Sequence, residues 1–212
     1  MDLSLSEEQE MLREMGRDFL RRECTKDMVR EMEEDEIGYP SDLWKKMADL
    51  GWMGLAIPQE YGGMESSFLD LAILIEEFGR ALVPGPFIPT VVYCATPIVK
   101  HGTKEQRETY LPGIAAGELI MTLALTEPSA TFEPWGVNVK AVSDGEDYVI
   151  NGVKLFVPDA HIADYLLCAA RTGGQPESKD GITVFIVDAK SPGISCTVLK
   201  TIANDKLCCL LY

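Results

Sequence analysis

Apolar side chains recur at a helical period through the first half of this chain and in short, strand-length runs through the second. Met11, Leu12, Met15, Phe19 and Leu20 are spaced for one side of a helix. Glu10, Arg13, Glu14, Arg17 and Asp18 between them predict a solvated stripe with ion pairs at helical distances. Ser4-Leu5-Ser6-Glu7 and Ser6-Glu7-Glu8-Gln9 both have the form of a capping box, in which a hydroxyl and an acid or amide satisfy free backbone N–H groups. The charge run Glu31–Glu36 reads as a solvated helix end and loop. Pro40-Ser41 opens a second helix with Leu43, Trp44, Met47 and Leu50 on one side, closed by Gly51. Residues 51–64, rich in glycine, form an irregular connection. Leu69–Leu82 is apolar nearly all round, which places that helix at the centre of a bundle. Pro84-Gly85-Pro86 breaks it, Ile88–Lys100 supplies another helix, and Thr103 with Gln106 caps a short one that Pro112-Gly113 ends.

After Gly117 the period becomes strand-like. Leu119–Leu125, Tyr165–Ala170, Ile182–Asp188, Cys196–Leu199 and Leu207–Tyr212 are short apolar runs separated by Gly, Pro and Ser. Asp147–Ile150, then Asn151-Gly152, then Val153–Val157 carries the strongest short-range hairpin signal. The pattern predicts an α+β chain: a helical bundle over residues 1–118, then an antiparallel β-barrel or sandwich over 119–212. No internal repeat or low-complexity segment interrupts it. The final apolar strand ends with the chain, which suggests a deep terminal strand or a truncated polypeptide.

Composition removes several classes of function. The formal net charge is −15, without any cluster of Lys and Arg, so a nucleic-acid footprint is missing and an anionic membrane surface repels the protein. Apolar runs fall short of the ~18 residues a membrane-spanning helix needs, and the N-terminus lacks the charged and apolar regions of a signal peptide. Cys24, Cys94, Cys168, Cys196, Cys208 and Cys209 show no metal-ligand spacing and read as reduced thiols of a cytoplasmic protein. Cys208 and Cys209 point to opposite faces of a strand, so they do not pair with each other. His101 follows a helix and reads as a partner for its C-terminal dipole; neither it nor His161 has a second ligand at metal spacing. Gly173-Gly174 lies between strands and is no phosphate loop, and no serine stands in a nucleophile elbow. Spacing alone selects no acid–base pair among 34 carboxylates.

Three ordered stretches say more. PQEYGGMES (58–66) followed by LAILIEEFGRALVPGPF (71–87), then GTKEQRETYLPGIAAGELIMTLALTEP (102–128), then the segment from Tyr148 to Arg171 resemble the acyl-CoA dehydrogenases. The resemblance implies an N-terminal helical domain and a middle β domain, with the family's C-terminal four-helix domain absent from this chain. It further implies FAD as cofactor and α,β-desaturation of an acyl-CoA thioester. In that reaction a carboxylate removes the α-proton while the β-hydrogen leaves as hydride to the flavin. The family's carboxylate lies in the C-terminal domain, so no catalytic residue is assigned here, and the 212 residues alone are expected to be inactive. Glu127 is read as structural.

Carried over residue by residue, the resemblance places Leu123, Leu125 and Thr126 against the flavin, where the Thr126 hydroxyl can donate to a ring atom. Where the family has Gly-Ala-Gly-Ser, this chain has Ser129-Ala130-Thr131-Phe132; Thr131 and Phe132 replace its Gly and Ser contacts to the cofactor phosphate and thioester region. The family's Trp-Ile-Thr becomes Phe156-Val157-Pro158: Phe156 can still stack, whereas Pro158 has neither hydroxyl nor N–H. Phe156 and Val157 also fit an ordinary alternating strand, and Phe132 an apolar cover for one end of the β domain. The divergent flavour of GRALVPGP and KLFVPDAHIAD is akin to members acting on bulky CoA thioesters, some of them heteromers of unlike subunits. The implied partners are an acyl-CoA substrate, an electron-transfer flavoprotein or similar acceptor, and a second copy or homologous subunit. Two alternatives stay open: a non-catalytic partner subunit, and an acyl-CoA-binding module without redox activity.

Overall fold

The computed structural model describes residues 4–175, 178–203 and 205–212. Its chain divides into two units, Met1–Phe87 with Ala95–Glu118, and Ile88–Cys94 with Leu119–Tyr212.

The first unit is helical: α1 (Glu7–Glu23), α2 (Lys26–Glu34), α3 (Ser41–Asp49), α4 (Phe68–Ala81), α5 (Thr96–His101) and α6 (Lys104–Ala115). Ser6 with Gln9 and Thr103 with Gln106 form the expected capping boxes, and Ser67 with Asp70 forms a third. Trp52 is fully buried, with Phe19 edge-on at 5.0 Å and Phe78 at 5.6 Å. The buried side of α1 is rotated from the expected stripe: Met11 and Met15 are exposed, while Gly16 lies against Leu74. Gly16 lets the helices approach closely, and this turns Arg17 inward. Its guanidinium donates twice, at 2.9 and 2.7 Å, to the carboxylate of Glu77, which is 1% exposed; Arg80 donates to the same group at 3.2 Å.

Arg17 bonding and charge therefore hold the Glu77 pKa below the ordinary glutamate value. A depressed folded pKa stabilises above the unfolded value and that stability is lost as pH falls through the folded one. Unfolding free energy should accordingly drop below about pH 4.3, and Glu77→Gln should flatten that slope in denaturant titrations run from pH 6 to 3. An unchanged slope would contradict the role given to Glu77.

The reading of Glu31–Glu36 as a helix end and loop holds: Glu31–Glu34 closes a nine-residue helix, α2, capped by Thr25, and Asp35-Glu36 follow it. Two helical expectations change. Ile88–Ala95 winds as a π-helix before α5, next to Pro97, whose ring crowds the carbonyl four residues back. Pro112 does not end α6; the helix runs to Ala115, and Gly117, at φ +70°, turns the chain where its carbonyl accepts from Trp44 Nε1.

The second unit contains β1 (Met121–Ala124), β2 (Lys140–Asp144), β3 (Asp147–Asn151), β4 (Val153–Pro158), β5 (Tyr165–Arg171), β6 (Ile182–Asp188), β7 (Ser195–Val198) and β8 (Leu207–Leu211). One sheet runs β1-β5-β2-β3 with β6 also paired to β5, and the other runs β4-β8-β7. The chain is thus a helical domain followed by a β-sheet domain, as expected. Four of the strand pairings are antiparallel, but β1 pairs with β5 in parallel, and Lys140 of β2 meets Arg171 of β5 in parallel. Thr90, from the π-helix, ties this unit's helical segment to β1: its hydroxyl donates to Met121 O and accepts from Met121 N.

The Asn151-Gly152 hairpin does not form. The hairpin partner of β3 is β2, through Gly145 at φ +66°, and the chain passes at Gly152 from one sheet to the other. Gly152 exchanges backbone hydrogen bonds with Tyr212, and a Cβ there would fall 2.6 Å from Val139 Cγ2. Glycine is required at this place for close packing, which overrides the local turn preference.

Candidate functional site

β1 ends at Ala124 and leads through Leu125 and Thr126 into Glu127. Leu155 N donates to Thr126 O at 2.8 Å, and Thr122 Oγ1 donates to Pro158 O at 2.6 Å, so β4 lies along the exit of β1. Beneath this seam is a buried ion pair. Lys154, 0% exposed, reaches Glu127 Oε1 at 2.8 Å and Leu125 O at 3.2 Å. The Glu127 carboxylate also accepts from Asn138 N at 2.9 Å and Val139 N at 3.0 Å. A carboxylate bonded to two amides and an ammonium satisfies the polar groups that burial would otherwise penalise. It also fixes the backbone on both sides of Thr126.

β4 departs from simple alternation. Its register against β8 shifts between Lys154 and Val157, and Phe156 takes φ +54°. This bulge lets Lys154 and Val157, three residues apart, both face inward, and it leaves the Phe156 ring 49% exposed. A left-handed aromatic residue costs about 1–3 kcal/mol, and such strain concentrates at functional sites. The ordinary-strand reading of Phe156 and Val157 is therefore corrected. Sequence alternation would set Lys154 and Phe156 on one face, and only the bulge separates them.

Leu123, Leu125, Thr126, Phe156, Val157 and Pro158 thus line the β1–β4 seam, with Thr126 and Val157 buried beneath it. Thr131 and Phe132 lie on the loop leaving it. Ala130 is left-handed there, Thr131 packs so tightly on Gly136 that a Cβ would meet its methyl at 1.8 Å, and the Phe132 ring is 76% exposed.

Sequence reasoning passed over three features. Lys154 is a single cation in an apolar run, a signal that could have marked it as a buried partner. Arg171 is buried at the end of β5 and donates to the carbonyls of Val137, Asp180 and Ser178, bracing the loops around the seam's far end. A third group gathers behind β4. Cys208 Sγ lies 3.8 Å from His161 Nδ1, and hydrogen bonding from Cys196 and then His161 lowers the Cys208 thiol to about 5. Burial raises Asp159 beside them to about 6. All six cysteines are free thiols. Among the described residues no cluster of His, Cys, Asp and Glu is placed to hold a metal, and no helix is long and apolar enough to cross a membrane.

Comparison with known proteins decides the family. Residues 6–118 match the acyl-CoA dehydrogenase N-terminal domain and residues 122–209 match the acyl-CoA dehydrogenase middle domain. The chain belongs to the acyl-CoA dehydrogenase family. Among its curated relatives, a probable acyl-CoA dehydrogenase of Bacillus subtilis, YngJ, is 35% identical over 93% of this chain and 52% of its own. Among solved structures, the Tcur3481-Tcur3483 steroid acyl-CoA dehydrogenase superposes with a TM-score of 0.87 at 32% identity, over 100% of this chain and 56% of that one. The ChsE4-ChsE5 complex from Mycobacterium tuberculosis gives 0.88 at 26% identity, over 100% and 55%. The chain spans about half the length of the relatives it matches.

Proposed function

We propose that this chain supplies the flavin-facing β segment and the helical N-terminal portion of a cytoplasmic, FAD-dependent acyl-CoA dehydrogenase. In this reading the assembled enzyme desaturates an acyl-CoA thioester between its α and β carbons. The carrying observation is the strained bulge that turns Phe156 outward next to Leu155, whose N–H donates to Thr126 O at the exit of β1. When bound, FAD supplies the hydride acceptor. Leu123 and Leu125 would wall the ring, the Thr126 hydroxyl would donate to a ring atom, and Phe156 would cover a ring face. Val157 and the Lys154–Glu127 pair hold those groups in place from below. No residue of this chain is assigned as the base, and electrons would leave to an electron-transfer flavoprotein or similar acceptor.

FAD titration of the purified protein, followed by flavin absorbance, tests this reading. Saturable binding is expected, and Phe156→Ala should weaken it by about 1 kcal/mol, roughly fivefold. Saturable binding that ignores Phe156→Ala and Thr126→Ala alike would remove the proposed site.

A second reading rests on Thr131, Phe132 and Pro158. The Phe132 ring stands where the family carries a small serine, and Pro158 cannot donate. These departures suit a subunit that contributes less than its neighbour to a shared flavin site in a heteromer, as opposed to a homo-oligomer. That subunit would bind FAD only after mixing with a second chain of the family, and flavin absorbance with and without that chain separates the readings.

A further inference from the structure

α2 is the most strongly amphipathic helix of the chain, yet none of its residues is fully buried. Met28, Val29 and Met32 share one side and are only half-buried. A helix with such an apolar stripe ordinarily closes onto its neighbours. Here a cleft of about 630 Å³ remains between α2, the end of α1 and the end of α4. Leu20 and Cys24, both buried, line its floor, and Val29 and Leu82 its walls. That volume lies within the range of small-ligand sites, which are mostly apolar with a few oriented polar groups.

The charge at this cleft is opposite to that of the whole molecule. Five cations and two carboxylates line it, in a chain of net charge −15. One carboxylate, Glu77, is already bonded to Arg17 and Arg80. Arg21 pairs with Asp18 and Arg30 with Asp27 at 3.2 Å each, and Arg80 also reaches Glu76 at 3.2 Å; surface pairs of this kind contribute little. Arg21, Arg30 and Lys26 therefore place positive charge around an apolar floor. The first turn of α2 adds the positive end of a helix dipole.

We propose that this cleft binds a single-chain anionic amphiphile, an alkyl tail with a carboxylate or phosphate head. The tail packs between Val29 and the floor formed by Leu20 and Cys24. The head remains at the rim among Lys26, Arg21 and Arg30. A free inorganic anion would leave the apolar floor unfilled, and a cationic or neutral amphiphile would meet the wrong rim. The cleft lies wholly in the helical unit, so the proposal is independent of the flavin reading.

Calorimetric titration of the protein with dodecanoate, dodecyl phosphate, dodecyltrimethylammonium and acetate provides the test. One equivalent of dodecanoate or dodecyl phosphate should bind saturably, and the tighter of the two identifies the head group. The trimethylammonium compound should bind at least tenfold more weakly, and acetate should give no saturable heat. Lys26→Glu with Arg30→Glu should weaken anionic binding at least tenfold. Val29→Trp, which fills the cleft from an exposed helix, should abolish it. Circular dichroism establishes that both variants keep their helices, and bound dodecanoate should slow modification of Cys24 by a thiol reagent. Equal binding of the cationic amphiphile, no saturable anionic binding, or binding indifferent to both variants would overturn the proposal. So would sedimentation showing that a second copy of the chain occupies the cleft and that Val29→Trp disrupts that dimer.

Discussion

Lys154→Met is expected to lower the unfolding free energy by about 3–5 kcal/mol, because it leaves the Glu127 carboxylate buried without its ammonium. The methionine fills most of the lysine's volume, so the loss reports charge and hydrogen bonding more than packing. Glu127 keeps its bonds from Asn138 N and Val139 N, but the carbonyl of Leu125 loses its donor. Glu127→Gln with Lys154→Met removes both charges and should recover part of the loss. The double-mutant cycle then isolates the pair from its surroundings. Urea titration of the wild type, both single variants and the double variant gives the four values. A loss below about 1 kcal/mol for Lys154→Met would mean that the pair is hydrated and does not brace the β1–β4 seam.

Gly63→Ala should be similarly damaging, at about 3 kcal/mol or more. A Cβ at this position would fall 2.0 Å from Ile57 O and 2.6 Å from Ile57 Cβ. Neighbouring backbone bonds, from Gly63 N to Pro58 O and from Glu65 N to Ile57 O, prevent the loop from yielding. Gly62 is the control. It sits at φ +84° with open space around its Cβ position, so Gly62→Ala should cost only the left-handed conformation, about 1–2 kcal/mol. Thermal unfolding of both variants checks the order. If Gly62→Ala were the more damaging of the two, the loop would be held by its turn conformation and not by its contact with Ile57.

The same two glycines show what could be read in advance. The GG of PQEYGGMES was legible as part of a family motif, but the motif did not say that one glycine serves a turn and the other a contact. Helix capping was legible for a simple reason: Ser6 with Gln9 and Thr103 with Gln106 act within one turn, so their partners are fixed by local spacing. Strand existence was legible for β5 and β6, whose apolar runs are long. Strand partners were less so. Asn151-Gly152 looked like a hairpin until Val139 and Tyr212, distant in sequence, claimed the glycine.

The proposed site divides along the same line. Thr126, Phe156 and Pro158 could be named from aligned motifs, and their departures from the family pattern were visible as letters. Their arrangement was not visible, because the bulge at Leu155-Phe156 changes which residues of β4 face inward. Lys154 then becomes a buried partner of Glu127, 27 positions away, while Phe156 is turned outward. The amino-acid sequence by itself determined the helical half, the β half, the caps and the family, since these rest on periodicity, local bonding and ordered motifs. Tertiary structure alone decided the strand pairing, the buried Lys154–Glu127 contact and the open cleft beside α2. Each of those depends on contacts between distant segments, whose combined packing outweighs local preference.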